Sequence, residues 1–184
     1  MGIETEKKYR IDAPKREGII TALEEAGAEF EREDFETNTI YGGGTLDENL
    51  AVLRIRTTEN SALLTYKKRI ENQYDVKQQI EVETKVEDPG ALAEIVTNLG
   101  FTPRLVYEKR RQTWRFRSVE ILLDELPFGF FMEIEGSITS IKEAEMILGF
   151  EDLEVEHETY PQMTLRLGEE KDGVFEARFR KNNP

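Results

Sequence analysis

The chain opens with a strand-like stretch, GIETEKKYRI, at residues 2–11. Alternate positions carry charge, so that Glu4, Glu6 and Lys8 share one face if the backbone is extended. Acidic and basic groups therefore lie together on one side of the first predicted strand. The predicted fold depends on where this charged face lies, either against solvent or around an enclosed charged ligand.

The same alternation recurs along the chain in further strand-like segments. They are predicted at about residues 50–57, 62–69, 76–86, 104–117, 119–125 and 130–135. Several of them carry charges in pairs at alternate positions, namely Arg54 and Arg56, Glu81 and Glu83, Lys109 and Arg111, and Glu133 and Glu135. Taken singly, each pair is typical of the solvated face of an ordinary antiparallel sheet.

Taken together, the charged faces favour a different arrangement. The opposite faces of several segments are apolar, and few helical segments are available to cover them. A closed barrel would turn the charged faces inward and the apolar faces outward against the helices. A lumen with both signs of charge is costly to desolvate unless it is filled, and a polyanion with a hard divalent cation would fill it. A half-exposed sheet remains the competing arrangement.

Two segments with helical apolar spacing begin in the same way. Asp12 opens the first and Asp88 the second, each with a proline directly or soon after it, as is typical of a helix N-terminus. The repeated order of strand, helix and strands predicts two similar halves, about 1–86 and 87–184. No linker composition separates them, so we expect one domain over 1–184.

Helical spacing returns late in the chain. It covers SITSIKEAEMILG at 137–149, with Thr139 or Ser140 as the predicted N-cap, and HETYPQMTLRLGEE at 157–170. The tail after Gly173 has no clear pattern and is left unassigned.

Charge and composition exclude several classes of protein. The chain has 184 residues, with 38 acidic and 25 basic side chains and a formal net charge of −13. This sign disfavours duplex nucleic acid and anionic membranes as partners. There is no cysteine for a disulfide, a thiolate nucleophile or a thiolate-bound metal, and no apolar run is long enough to span a membrane. We therefore expect a cytoplasmic protein, either a monomer or a homodimer.

Three features that look like functional motifs have simpler interpretations. Gly42–Gly44 lacks the lysine and the spacing of a phosphate-binding loop, and predicts a flexible connection. His157, the only histidine, lies among acidic residues and is expected to be solvated. Trp114 lies on the predicted strand of Lys109 and is expected to pack under a helix.

An ordered series of motifs resembles the CYTH domains, the triphosphate tunnel metalloenzymes that include class IV adenylyl cyclases, thiamine triphosphatases and inorganic triphosphatases. The motifs are IETEKKYRI at 3–11, which fits the family's E-x-E-x-K signature, LRIR at 53–56, LTYK at 64–67, KQQIEVE at 77–83, EKRRQTW at 108–114 and LLDELPFGFFMEIEG at 122–136. One E-x-E-x-K is a weak signal, but the ordered series spans almost the whole chain. It is most similar to the small prokaryotic members known as class IV cyclase-like.

The resemblance implies an α+β fold, a closed eight-stranded antiparallel β-barrel with helices outside. Its tunnel would bind a linear triphosphate as the small-molecule substrate, with Mg²⁺ or Mn²⁺. Carried over by motif, the metal-binding acids would be Glu4, Glu6, Glu81, Glu83, Asp124, Glu133 and Glu135. The phosphate-binding cations would be Lys8, Arg54, Arg56, Lys67, Lys109 and Arg111. Because Mg²⁺ takes only one or two carboxylates directly, most of the acids are expected to act around the metal.

The implied activity is metal-dependent hydrolysis of inorganic triphosphate or of a nucleoside triphosphate. A class IV adenylyl cyclase, converting ATP to cyclic AMP and pyrophosphate, is the enzymatic alternative, and a non-catalytic module that binds polyphosphate or nucleotide is a third. Glu4, Glu6 and Lys67 are the expected catalytic residues. Because no histidine is predicted in the lumen, the candidates for the base are a metal-bound water or Lys67. Lys77 and Gln79 stand where family members often have arginine and glutamate.

Overall fold

The computed structural model describes residues 2–71 and 76–180. Its strands are β1 (Gly2–Ile11), β2 (Glu29–Gly42), β3 (Ala51–Thr57), β4 (Ala62–Ile70), β5 (Lys77–Lys85), β6 (Thr102–Phe116), β7 (Val119–Leu126), β8 (Gly129–Glu135), β9 (Glu169–Lys171) and β10 (Val174–Ala177). Its helices are α1 (Ala13–Glu25), α2 (Gly44–Glu48), α3 (Pro89–Asn98), α4 (Ile138–Leu148) and α5 (Tyr160–Leu167). Each strand-like segment predicted from the sequence corresponds to a strand of the structure.

Eight of the strands close into a ring. In the order β2-β3-β4-β5-β1-β8-β7-β6, each strand pairs antiparallel with the next, and β2 pairs with β6 to complete the circuit. The predicted ring with helices outside it is therefore confirmed. The expectation of a purely antiparallel sheet is wrong, because the chain after α5 returns alongside β6 in the same direction. There β10 pairs parallel to β6, with Phe175 opposite Leu105, and β9 pairs with β10.

Strand β2 is the ring member that the sequence pattern does not predict. Its sequence, EFEREDFETNTIYG, is rich in acids and has few apolar positions at strand spacing. It pairs along its length with β6, where Asp34 lies opposite Arg111 and Glu36 lies opposite Lys109. Cross-strand pairs of opposite charge therefore stabilise this strand, and such pairs are invisible to local propensity.

The helix N-termini follow the predicted chemistry with one correction. Asp12 and Asp88 each accept a hydrogen bond from a backbone N–H in the first turn of α1 and α3. The predicted cap of the following helix, Thr139 or Ser140, is wrong. Ser137 caps α4 instead, and its hydroxyl accepts the backbone N–H of Ser140 at 3.0 Å. The two predicted residues already lie within the first helical turn.

The main apolar core lies outside the ring, beneath α1 and α4. Leu23 of α1 and Ile141 of α4 belong to one buried cluster with Tyr9, Trp114 and Ile134 of the sheet. The expected packing of Trp114 is thus confirmed. Each large side chain buried here contributes about 1.5–3 kcal/mol to folding, which the inward, charged face of the same strands does not provide.

A second core cluster brings α5 against the ring. Tyr160 and Met163 of α5 are buried with Tyr107, Leu126 and Phe131. Tyr160 also reaches the cavity enclosed by the ring. Helix α5 is therefore part of the wall as well as part of the outer layer.

One sheet contains strands from both halves of the chain, while their relation as a repeat of 1–86 and 87–184 stays a prediction. Within residues 2–71 and 76–180, no helix combines the length and apolar character needed to cross a membrane.

Candidate functional site

The ring encloses a cavity of about 890 Å³, and all eight ring strands contribute side chains to its wall. Twelve of the predicted site residues line it: Glu4, Glu6, Lys8, Arg54, Arg56, Lys67, Glu81, Glu83, Lys109, Arg111, Glu133 and Glu135. Asp124 is the exception, since it is only 1% exposed and lies among cations next to the wall. The charged strand faces thus meet inside the ring, as the barrel arrangement requires and the half-exposed sheet does not.

Adjacent lysines on β4 show the same alternation directly. Lys67 lines the cavity, where its Nζ lies 2.9 Å from Glu4 and 2.7 Å from Glu81. Lys68 does not line the cavity and reaches Asn49 at 3.4 Å. The candidate proton acceptor is therefore inside, held between two carboxylates.

Three carboxylates from β1 and β8 gather at one side of the cavity. Glu6 lies opposite Glu135 in the pairing of these strands, and oxygen atoms of Glu4, Glu6 and Glu135 lie within 4.8 Å of one another. Burial and the neighbouring carboxylates raise the pKa of Glu135 to about 8. Among the described residues Glu135 has no salt bridge, whereas Glu4 pairs with Lys67 and Glu6 pairs with Lys77. We call these three residues the acid trio.

The acid trio fits a hard divalent cation. Carboxylate oxygens are the donors that Mg²⁺ and Mn²⁺ prefer, and a site short of positive charge favours them further. Lys77 and Gln79, the two departures from the family pattern, both contact the trio: Lys77 donates to Glu6 at 2.9 Å, and Gln79 donates to Glu4.

The other four predicted metal ligands lie beside cations. Arg111 donates to Glu133 at 2.6 Å and binds Asp124 in a bidentate pair. Glu81 is paired with Lys67, and Glu83 accepts from Thr65 at 2.8 Å. The structure therefore brings three of the seven predicted acids together as a group and divides the remainder among the cations.

A wall of cations lies across the cavity from the acid trio. Arg54 and Arg56 are on β3, which is four strands away from β8 in the ring of eight. Both side chains are largely buried and their ion pairs are long, with Arg56 Nε 3.5 Å from Glu36 and a terminal nitrogen of Arg54 3.8 Å from Glu83. Neither Nε makes a hydrogen bond within the described part of the chain. Buried cations that are only loosely paired favour an anionic ligand.

Sequence reasoning missed an acid within this wall. Glu36 of β2 is buried, with its carboxylate 3.4 Å from Lys109 and 3.5 Å from Arg56. Burial alone would raise the pKa of Glu36, but Lys109, Arg56 and Arg111 lower it to about 2. Asn38 donates to the same carboxylate at 3.2 Å. The available signal was the alternation of Glu36 and Asn38, in a segment too acidic to be predicted as a strand.

Tyr160 is the other residue that sequence reasoning did not assign. Its ring lies 4.1 Å from Lys8 Nζ and 5.5 Å from Lys109 Nζ, and its hydroxyl donates to Asp124 at 2.8 Å. A reciprocal hydrogen-bond pattern between Thr159 and Gln162 caps the helix that carries it. His157 is exposed and does not line the cavity, as expected.

Comparisons with known proteins agree with this architecture. The model of the CYTH domain family matches residues 2–167. The Methanocaldococcus jannaschii protein named "Putative adenylate cyclase MJ0240" is 29% identical over 150 residues, which cover 79% of this chain and 83% of that protein. The structure of the PH1012 protein from Pyrococcus horikoshii has a TM-score of 0.73 at 26% identity, covering 85% of this chain and 96% of that one.

A more distant structure has the same fold. It is the "Putative adenylyl cyclase HpAC1" of Hippeastrum, for which a dominant triphosphatase activity is described. Its TM-score is 0.63 at 18% identity, covering 85% of this chain and 92% of that one. At this identity the likeness shows the fold alone.

Proposed function

This chain belongs to the CYTH domain family, and we propose on that premise that it hydrolyses a triphosphate in its central cavity with the help of a divalent cation. One observation supports the proposal above others. The acid trio and the guanidinium groups of Arg54 and Arg56 line one enclosed cavity from opposite sides of the ring. A metal-bound polyanion satisfies both groups at once.

The cations would hold the phosphate oxygens. Guanidinium groups present forked donors that match phosphate geometry, and Arg54 and Arg56 both line the cavity. Lys8 and Lys109 add point charges from β1 and β6. Burial strengthens each of these interactions relative to water, because the local dielectric is lower.

The acid trio would hold the metal, for which Mg²⁺ and Mn²⁺ are the candidates. When bound, the cation neutralises charge that develops on the phosphate groups during transfer. Glu4, Glu6 and Glu135 supply its oxygen ligands in this proposal. Glu135 must give up its proton to do so, because its pKa is raised to about 8.

Lys67 is the proposed proton acceptor. In hydrolysis a water oxygen attacks the terminal phosphorus, the bond from that phosphorus to the bridging oxygen breaks, and the proton of the water moves to a base. Lys67 is proposed for this role from its position, because its Nζ lies in the cavity beside the acid trio, between Glu4 and Glu81.

A cyclase is the second candidate, and one observation favours it. The relative from Methanocaldococcus jannaschii carries an adenylate cyclase name at 29% identity. The same cavity would then direct the ribose 3′ hydroxyl of ATP to the α-phosphorus, releasing pyrophosphate. A purely binding module is disfavoured, because an anion binder gains nothing from three carboxylates gathered in its cavity.

Product analysis tests the proposal. The purified chain is incubated with inorganic triphosphate, ATP or thiamine triphosphate, each with Mg²⁺ or Mn²⁺, and the products are separated by chromatography. Release of orthophosphate supports the triphosphatase, whereas pyrophosphate together with cyclic AMP supports the cyclase. Binding of these compounds without any product would refute both enzymatic candidates.

A further inference from the structure

Asp124 has an environment unlike that of a metal ligand. Arg111 donates to it twice, from Nε to Oδ1 at 2.7 Å and from a terminal nitrogen to Oδ2 at 2.6 Å. The Tyr160 hydroxyl donates to Oδ2 at 2.8 Å, and Lys109 Nζ lies 3.4 Å from the same oxygen. The side chain of Asp124 has no exposure to solvent, and the residue is not part of the cavity wall.

These donors surround the carboxylate. Four donor atoms of three residues approach it, three at Oδ2 and one at Oδ1. Because the side chain of Asp124 is also closed to solvent, a metal could reach it only by displacing its neighbours. Displacing Arg111 would leave a largely buried guanidinium with one acid fewer, which is among the costliest changes in a protein interior.

The donors of Asp124 are themselves the groups proposed to bind phosphate. Lys109 and Arg111 both line the cavity, and both turn toward Asp124 from β6. Tyr160 adds a second constraint, since its hydroxyl fixes Asp124 while its ring lies 4.1 Å from Lys8. Phe131 packs against the Tyr160 ring at 5.3 Å and limits its movement. One buried carboxylate and one tyrosine thus contact three cavity cations between them.

We propose that Asp124 is a positioning residue which, with Tyr160, orients Lys109 and Arg111 toward the phosphate groups, and that it is not a ligand of the metal. The inference rests on the proposed function and deepens it. It also separates the acids by task, with Glu4, Glu6 and Glu135 for the metal and Asp124 for the cations.

Metal binding in the absence of any triphosphate tests the second half of the proposal. Titration calorimetry with Mn²⁺ alone is performed on the wild type, Asp124→Asn and Glu135→Gln, with Glu94→Gln on the exposed side of α3 as the control. We expect the Mn²⁺ dissociation constant to change less than about threefold in Asp124→Asn and to rise about tenfold or more in Glu135→Gln. Loss of Mn²⁺ binding in a folded Asp124→Asn protein would overturn the assignment.

Binding of inorganic triphosphate tests whether Asp124 orients the cations, because positioning and simple Coulomb attraction predict opposite changes in affinity. Asp124→Asn removes a negative charge beside the cavity, so Coulomb attraction alone predicts tighter triphosphate binding. Positioning predicts the opposite, a loss of about tenfold or more, because Lys109 and Arg111 are no longer held in place. Tighter or unchanged binding in this variant would overturn the positioning role.

Tyr160→Phe provides a milder variant in case Asp124→Asn does not fold. It keeps the ring beside Lys8 and removes only the hydrogen bond to Asp124. We expect KM for inorganic triphosphate to rise about fivefold or more, with kcat changed by less than about threefold and Mn²⁺ affinity retained. Tyr66→Phe, on the outer face of β4, is the matched control. A Tyr160→Phe protein with lower thermal stability and unchanged KM would show a merely structural residue and overturn the proposal.

The wild-type measurements separate this inference from the proposed function. A wild type that binds neither Mn²⁺ nor triphosphate overturns the proposed function and this inference with it. A wild type that binds both, alongside an Asp124→Asn protein that loses Mn²⁺, overturns only the inference.

Discussion

Glu135→Gln should make the metal-free protein more stable at alkaline pH. Burial and the carboxylates nearby raise the pKa of Glu135 from 4.5 to about 8. Between these two values the folded chain holds a proton that the unfolded chain has released. The stability of the wild type therefore falls as pH rises through this window, since unfolding becomes favoured by proton loss. A glutamine at this position carries no charge at any of these pH values and removes that fall.

The size of this stability difference follows from the rise in the pKa of Glu135. It spans about 3.5 pKa units, and each unit corresponds to about 1.4 kcal/mol, which gives a limit of about 5 kcal/mol. The Glu135 side chain is only partly buried and faces the cavity, where solvent screens the carboxylates from one another. We therefore expect the variant to exceed the wild type by about 1–3 kcal/mol at pH 9 and to match it closely at pH 4.

Urea unfolding in the presence of a chelator measures this difference. Trp114, the only tryptophan, is buried in the core and reports on unfolding by fluorescence. Curves at pH 4, 5, 7 and 9 are compared for the wild type, Glu135→Gln and the exposed control Glu94→Gln. The expected pattern is a smaller loss of stability with pH in Glu135→Gln alone. Identical pH profiles for the wild type and Glu135→Gln would refute the raised pKa of Glu135.

Four further outcomes are expected. Turnover should stop in excess chelator and return with Mg²⁺ or Mn²⁺; full turnover in chelator would contradict the metal assignment. Arg54→Ala or Arg56→Ala should weaken triphosphate binding by about tenfold or more while Lys68→Ala has little effect, as measured by calorimetry; equal losses would contradict the assignment of strand faces. Turnover at limiting metal should rise from pH 6 to 9, because Glu135 must lose its proton to bind the cation; a rate maximum near pH 6 would argue against this. Gly168→Ala should lower the free energy of unfolding by about 1–3 kcal/mol in urea, because its Cβ would lie 2.6 and 2.8 Å from two backbone carbonyl oxygens; unchanged stability would mean that this turn can relax.

Strand alternation identified eleven of the twelve predicted residues that line the cavity, and the family resemblance added Lys67. Counting every second residue from Glu4 or Arg54 identifies an inward face, and a strand cannot change that parity without a bulge. The same parity holds on β4, where Lys67 lines the cavity and Lys68 does not. For this reason twelve predicted residues reach one cavity although they come from six different strands.

Register between distant strands is what the sequence did not reveal. Glu133 and Glu135 form one E-x-E pair, yet β1 places Lys8 opposite Glu133 and Glu6 opposite Glu135. One glutamate therefore meets a lysine and the other meets an acid. Asp124 is a similar case, because its neighbours Arg111 and Tyr160 come from β6 and α5 and were not predictable from its own strand. Parity determines which residues face inward, whereas register determines which of them touch.

The pairing of charges within the cavity indicates which kind of ligand would suit it. Lys67 is shared by Glu4 and Glu81, and Arg111 is shared by Asp124 and Glu133. Such sharing compensates these buried charges within the protein itself.

Two features are less fully paired. Glu135 has no salt bridge to any described residue, and on the far wall Arg54 and Arg56 have only long ion pairs, at 3.8 Å to Glu83 and 3.5 Å to Glu36. A simple anion would pair with the arginines but add negative charge near Glu135. A simple cation would pair with Glu135 but add positive charge near the arginines. A polyanion that carries its own divalent cation relieves both, because it presents positive charge to the acid trio and oxygen atoms to the arginines. This distribution of charge thus favours the proposed metal–triphosphate complex over either component alone.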